Sequence, residues 1–179
     1  MGQAIDQIIL AGRKGVGYAE KLASDVKPEI FARKPRFRDA GKDTVVDCNH
    51  PAFVYGHLAL YPARLMGFLS LDATKVPVPG HWSDLLKAGV DCKDDPEGTI
   101  YPKKDEVLGT FLKNYATLFD SMAALDDSIM SMPHPDENVR AKFLPTIGSA
   151  MTFMMTSHVL MHAGQISTWR RCFGMPGLS

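Results

Sequence analysis

The chain reads as an all-α protein, a four-helix bundle with a long loop between its second and third helices. Apolar residues recur at three- and four-residue steps through four long segments, strand-like alternation is scarce, and Pro and Gly gather between the segments. At 179 residues one domain over 1–179 is expected. The composition, 45% hydrophobic and 22% charged, is that of a globular chain. Lys plus Arg and Asp plus Glu are 20 each, so no net basic field calls for nucleic acid.

Ile5, Ile8, Ile9, Gly12, Val16, Ala19 and Ala23 predict a first helix over 3–25, with Gly12, Gly15 and Gly17 marking a close neighbour. Residues 26–48 read as a connection with little regular structure. The second helix starts at Asn49 as N-cap with Pro51 just inside, runs to Leu69, and should kink at Pro62. The loop over 70–102 is long enough to be functional, with a short helix within 81–88. Leu108, Phe111, Tyr115, Leu118, Met122, Leu125 and Ile129 form the seam of a third helix over 104–130. The fourth spans 145–173 and stops at Gly174, with Pro176 beyond. Residues 143–169 contain no Asp, Glu, Lys or Arg, long enough to cross a bilayer. The polar residues within it, His158 and His162 above all, favour a buried helix, the most buried of the four.

Cys48, Cys92 and Cys172 are odd in number and widely spaced, which argues against a disulfide framework; together with an N-terminus lacking a secretory apolar run this predicts a cytoplasmic protein. Cys48 near a helix start is either an activated thiol or an unreactive one. Gly12–Gly17 follows no strand and lacks phosphate-loop spacing. Arg170 and Arg171 suit the end of a helix and require no acidic partner.

The chemistry concentrates on the last helix. His158 and His162 are four apart, which puts two imidazoles on one face with Cβ atoms about 5–6 Å apart, able to share a metal ion. Ile147, Met151, Met154, Gln165 and Trp169 share that face, so the pair points inward; core histidines satisfied by hydrogen bonds are the plain alternative. His57, inward on the second helix, is a third candidate that a bundle can bring to the same centre, leaving an open position on the ion. Tyr61 and Arg64 are placed to hold a substrate anion, or are simply packed and solvated side chains. Gln165 supports a ligand or bonds within the bundle. His50 is an entrance-side ligand or proton carrier, or a helix-start residue near solvent. Val159 follows His158, so the His-Glu-x-x-His peptidase motif is absent. Neutral imidazole is the ligand form, so binding should weaken below about pH 6.5.

Asn49-His50-Pro51-Ala52-Phe53-Val54-Tyr55-Gly56-His57-Leu58-Ala59-Leu60-Tyr61 resembles the second-helix motif of the DinB-like superfamily, including its YfiT-type members. His158-x-x-x-His162-Ala163-Gly164-Gln165-Ile166-x-x-x-Arg170-Arg171-x-x-Gly174-x-Pro176 is similar to that family's last-helix signature, and Tyr101-Pro102 followed by Asp105-Glu106-Val107-Leu108 suits its third-helix start. The usual Trp near the second-helix start is absent, Phe53 being the nearest aromatic. The resemblance spans almost the whole chain. It implies a four-helix bundle with one divalent ion on His57, His158 and His162, zinc or nickel first, iron or manganese in some members. It also implies a small-molecule substrate, a low-molecular-weight thiol among the partners, and a homodimer. Relatives include thiol S-transferases, a maleylpyruvate isomerase and hydrolases. A metal-dependent transferase or hydrolase is therefore expected, with a non-catalytic metal-binding bundle of stress-response or structural type as the alternative.

Overall fold

In the computed structural model, which describes residues 2–178, α1 (Gln3–Ser24) turns Ile5, Ile9, Val16, Ala19 and Leu22 inward. Its N-cap, Gly2, has no side chain to offer, and Asp127 supplies the missing carboxylate. The Asp127 oxygens accept from the backbone N–H groups of Ala4 and Ile5, both at 3.0 Å, where the helix dipole favours a negative charge. At Gly12 a Cβ would stand 2.8 Å from the Phe119 ring and 3.3 Å from the Met155 carbonyl, so glycine sets the approach of α1 to its neighbours there. Gly15 makes only ordinary contacts, and Gly17 faces open space.

A short antiparallel hairpin, β1 (Arg36–Asp39) and β2 (Lys42–Val45), occupies part of the segment expected to be irregular. Every residue of both strands is exposed, so no alternation of apolar and polar positions announces them; the turn at Ala40 and Gly41, both at positive φ, closes the hairpin.

The helical class is as expected, but the long helices are interrupted. The second is two helices, α2 (Pro51–Ala59) and α3 (Tyr61–Phe68), broken at Leu60 because Pro62 has no N–H to continue the ladder. The loop that follows contains α4 (Trp82–Leu86), anchored by Trp82 and Leu86, both fully buried. The third helix, α5 (Lys104–Met122), stops eight residues short of Met130, the end expected for it, and Asp127–Ser131 is a 3-10 turn. A six-residue helix, α6 (Glu137–Lys142), capped by Asp136, follows. The last helix is α7 (Ile147–Thr152), a π-helical turn over Phe153–Ser157, and α8 (His158–Cys172). Ile147, Met151, Met155, Val159 and Ala163 are buried at steps of four, slower than the α-helical 3.6, and the wide π turn accommodates that drift. Met151 is buried as expected, and the second buried methionine of this helix is Met155, with Met154 only half-buried.

The most buried helix is α2, not the last one. All nine of its residues are buried, because α4, α5 and α8 pack around it. The last helix instead exposes Leu160 and Met161 beside its buried face. No helix among the described residues is long and apolar enough to cross a membrane.

Arg170 has the acidic partner that the sequence did not call for. Its side chain is 1% exposed, and its guanidinium donates to both carboxylate oxygens of Asp25 and, at 2.9 Å, to the Leu22 carbonyl. The fork thus clamps the C-terminal end of α8 to that of α1. Arg170 holds the Asp25 carboxyl below its ordinary range by this hydrogen bond, and Asp25 remains half exposed. The two halves of the pair are therefore unequal. Asp25→Ala strands a buried cation and should cost about 2–3 kcal/mol in urea denaturation, whereas Arg170→Met leaves a solvated carboxylate and should cost less. Equal losses would contradict this account of the clamp.

Candidate metal centre

Three imidazoles meet between α2 and α8. His57, His158 and His162 are 5%, 6% and 7% exposed, and one ring nitrogen of each lies within 4.8 Å of the others. The Nε2 atoms of His158 and His162 are 3.1 Å apart. Two nitrogens at 2.0–2.1 Å from a tetrahedral ion would be about 3.3 Å apart, so the pair is already near ligating geometry.

The remaining nitrogens decide which atoms face the centre. His57 Nδ1–H donates to the Leu86 carbonyl at 2.8 Å, and His162 Nδ1–H donates to Gln165 Oε1 at 3.0 Å. Each bond fixes the tautomer that leaves Nε2 as a bare lone pair, the usual way of orienting an imidazole ligand. Asn49 Nδ2 donates to the same Gln165 oxygen at 3.4 Å, steadying it from the start of α2. His158 Nδ1 is buried with no partner. Nothing therefore fixes the His158 tautomer: with its proton on Nε2 it donates to His162 Nε2 at 3.1 Å, and with the proton on Nδ1 both Nε2 lone pairs are free for one cation, so the donor set fits a divalent ion.

The reach of Leu86 depends on Gly56. A Cβ at position 56 would lie 2.5 Å from Leu86 Cδ1 and 3.3 Å from its Cγ, so glycine leaves the space that the Leu86 side chain fills against α2. Neither contact has a sequence signal, because a backbone carbonyl is anonymous and a helix glycine reads only as a weak point.

Burial pushes all three histidines below their ordinary pKa, the repulsion among the rings adding to the effect on His158 and His162; the Leu86 and Gln165 acceptors partly oppose it at His57 and His162. The expected weakening of metal binding below about pH 6.5 therefore moves to lower pH, because the folded protein keeps these rings neutral where free histidine is protonated.

Of the other candidates, Tyr61 and Arg64 are at the centre's edge. The Tyr61 ring packs edge-on against His158 and His57 with centroids 4.6 and 5.1 Å away, and burial raises its pKa, so it is a neutral O–H donor. A cavity of about 310 Å³ has the three histidines, Tyr61, Phe53 and Met161 in its wall. A second, of about 290 Å³, shares His57 and Tyr61 and adds Arg64, Ser83 and Lys87. Lys87 and Ser83 escaped the sequence reading because they belong to the long loop. All three cysteines are free and line one groove with Asn49 and Gln165. Burial pushes the Cys48 thiol up and Cys92 up to about 11, so Cys48 is not an activated thiol.

His50 is neither an entrance ligand nor a helix-start residue near solvent. It is fully buried, its Nδ1 accepts from the Phe53 N–H as the N-cap of α2, and its Nε2–H donates to the Lys93 carbonyl at 3.0 Å. It takes the capping place expected of Asn49 and ties the long loop to α2.

Gly56→Ala should displace Leu86, cost about 1–3 kcal/mol of stability and weaken metal binding by loosening His57; unchanged melting and affinity would refute the close-approach argument. Burial lowers the pKa of His50 to about 4, so the unfolded chain takes up that proton first as pH falls. The stability His50 contributes is complete above pH 6.5 and is lost between 6.5 and about 4. In metal-free protein, the advantage of wild type over His50→Asn in urea should shrink by on the order of 3 kcal/mol from pH 7 to pH 4.5.

Compared with protein-family models the chain finds no match, and compared with curated proteins it finds none either.

Proposed function

We propose that this protein is a metal-dependent enzyme of the DinB-like type, using one divalent ion on His57, His158 and His162 for thiol transfer or hydrolysis. In that reading α1, α2 with α3, α5, and α7 with α8 are the four helices of the bundle. The observation that carries it is the converging set of three imidazoles, two with the Nδ1–H engaged, in the wall of a cavity. A structural metal site is closed by its ligands, whereas a catalytic one keeps a position for substrate, and the cavity favours the enzyme over the non-catalytic bundle. A divalent ion held there supplies a Lewis acid that lowers the pKa of a thiol or water. Zinc and nickel both suit imidazole ligands, with iron and manganese behind them.

The chain's own groups do the rest. Gln165 and the Leu86 carbonyl hold two rings in register. The Tyr61 phenol, neutral against the rings, can donate a hydrogen bond to a bound substrate. Phe53 and Met161 keep the cavity partly apolar, which strengthens the electrostatics within it. A homodimer belongs to the same reading, with α1 or α5 at the interface.

Elemental analysis of protein purified without a polyhistidine tag should find about one equivalent of metal. His57→Ala, His158→Ala and His162→Ala should each abolish tight binding, and Gln165→Ala should weaken it about 10–100-fold. The loaded protein should accelerate addition of a low-molecular-weight thiol to an electrophile, or hydrolysis of an activated ester, and His158→Ala should not. Metal retained by all three alanine variants would end this reading.

A further inference from the structure

The two cavities at the centre contain no carboxylate. Among the described residues in their walls, His57, His158, His162, Tyr61, Arg64 and Lys87 include every ionisable group, and none is Asp or Glu. Three neutral imidazoles around a divalent ion leave its two positive charges uncompensated by the protein. Charge in such a site is costly unless a counter-ion accompanies it.

The second cavity adds two more cations at the same end. Arg64 has its guanidinium 5.4 Å from the centre of the Phe68 ring, a stacking contact that limits where it can swing. Lys87 directly follows Leu86, whose carbonyl orients His57, so the residue that holds a ligand is covalently joined to the one that charges the mouth. The acidic group facing Lys87 is Asp84, 3.3 Å from its ammonium, with the carboxylate 88% exposed and the ammonium side chain 57% exposed. A solvated pair of this kind is weak and yields readily to a ligand. Ser83 adds a hydroxyl to the same wall.

Size sets the other limit. Cavities of about 290 and 310 Å³ that share His57, Tyr61 and Ala88 suit one small metabolite reaching from the cations to the imidazoles. We infer that the substrate is a small molecule with an anionic terminus, held by Arg64 and Lys87 while its reactive end lies at the three histidines. The inference rests on the metal-centre reading for the reactive end only; the anion subsite consists of residues that ligate nothing.

The test is calorimetric titration of zinc-loaded protein with succinate, inorganic phosphate and the neutral succinamide. Wild type should bind at least one of the two anions about tenfold or more tighter than succinamide, and Arg64→Met and Lys87→Met should each weaken that anion about tenfold with bound zinc unchanged. Both side chains are at the surface, so both variants fold. Binding of succinamide as tight as that of the tighter anion, or binding of neither anion, overturns the subsite. So does anion binding undiminished in both variants, which would put the anion on the metal alone. Should the protein take up no zinc, the metal reading fails separately. The same titration of metal-free protein then decides the subsite: anion binding lost in the two variants upholds it, and no binding by wild type overturns it.

Discussion

Burying α2 on every side is the constraint from which the rest of the centre follows. A helix whose nine residues are all buried needs cover from several directions, and α5, α8 and α4 provide it. Cover from α8 brings His158 and His162 to His57. Cover from α4, whose Leu86 side chain packs over Gly56, brings the Leu86 carbonyl to the other side of the same ring. The packing that stabilises the core and the orientation of the imidazoles are thus one arrangement. The N-cap has the same double character: neutral His50 finishes the helix and holds down the loop that carries α4.

The π turn before His158 belongs to this logic. A continuous α-helix from Ile147 would drift off the seam against α1, where Gly12 meets the Met155 carbonyl. One wide turn keeps Met155, Val159 and Ala163 on that seam and leaves His158 and His162, one position earlier, turned toward α2. At the far end the Arg170–Asp25 clamp fixes α8 against α1, so the helix that carries His158 and His162 is held at its C-terminal end as well as along the seam.

The electrostatic character of the centre is that of three neutral imidazoles in a pocket without acids. Burial keeps the imidazoles unprotonated and thus ready to ligate. A cation held there would take its compensating charge from outside the protein, in contrast to sites where a carboxylate supplies it.

What the sequence determined by itself was local. Helical periodicity depends on residues three and four apart, and so does the pairing of His158 with His162, since both follow from the pitch of one helix. The breaks at Pro62 and Gly174 are equally local, one from a missing N–H and the other from a positive φ. What only the tertiary structure decided lies between segments far apart in the chain. Leu86 on His57, Asp25 under Arg170 and Asp127 at the start of α1 are contacts across 29 to 145 residues, and no spacing rule reaches that far. The capping bond of His50 to Phe53 is local, but its burial and its bond to Lys93 come from the long loop, and the hairpin has no periodic signal because its strands bury nothing. His57 stands between the two cases: its inward position was legible on one helix, but its meeting with the other two rings was settled by how α2 is covered.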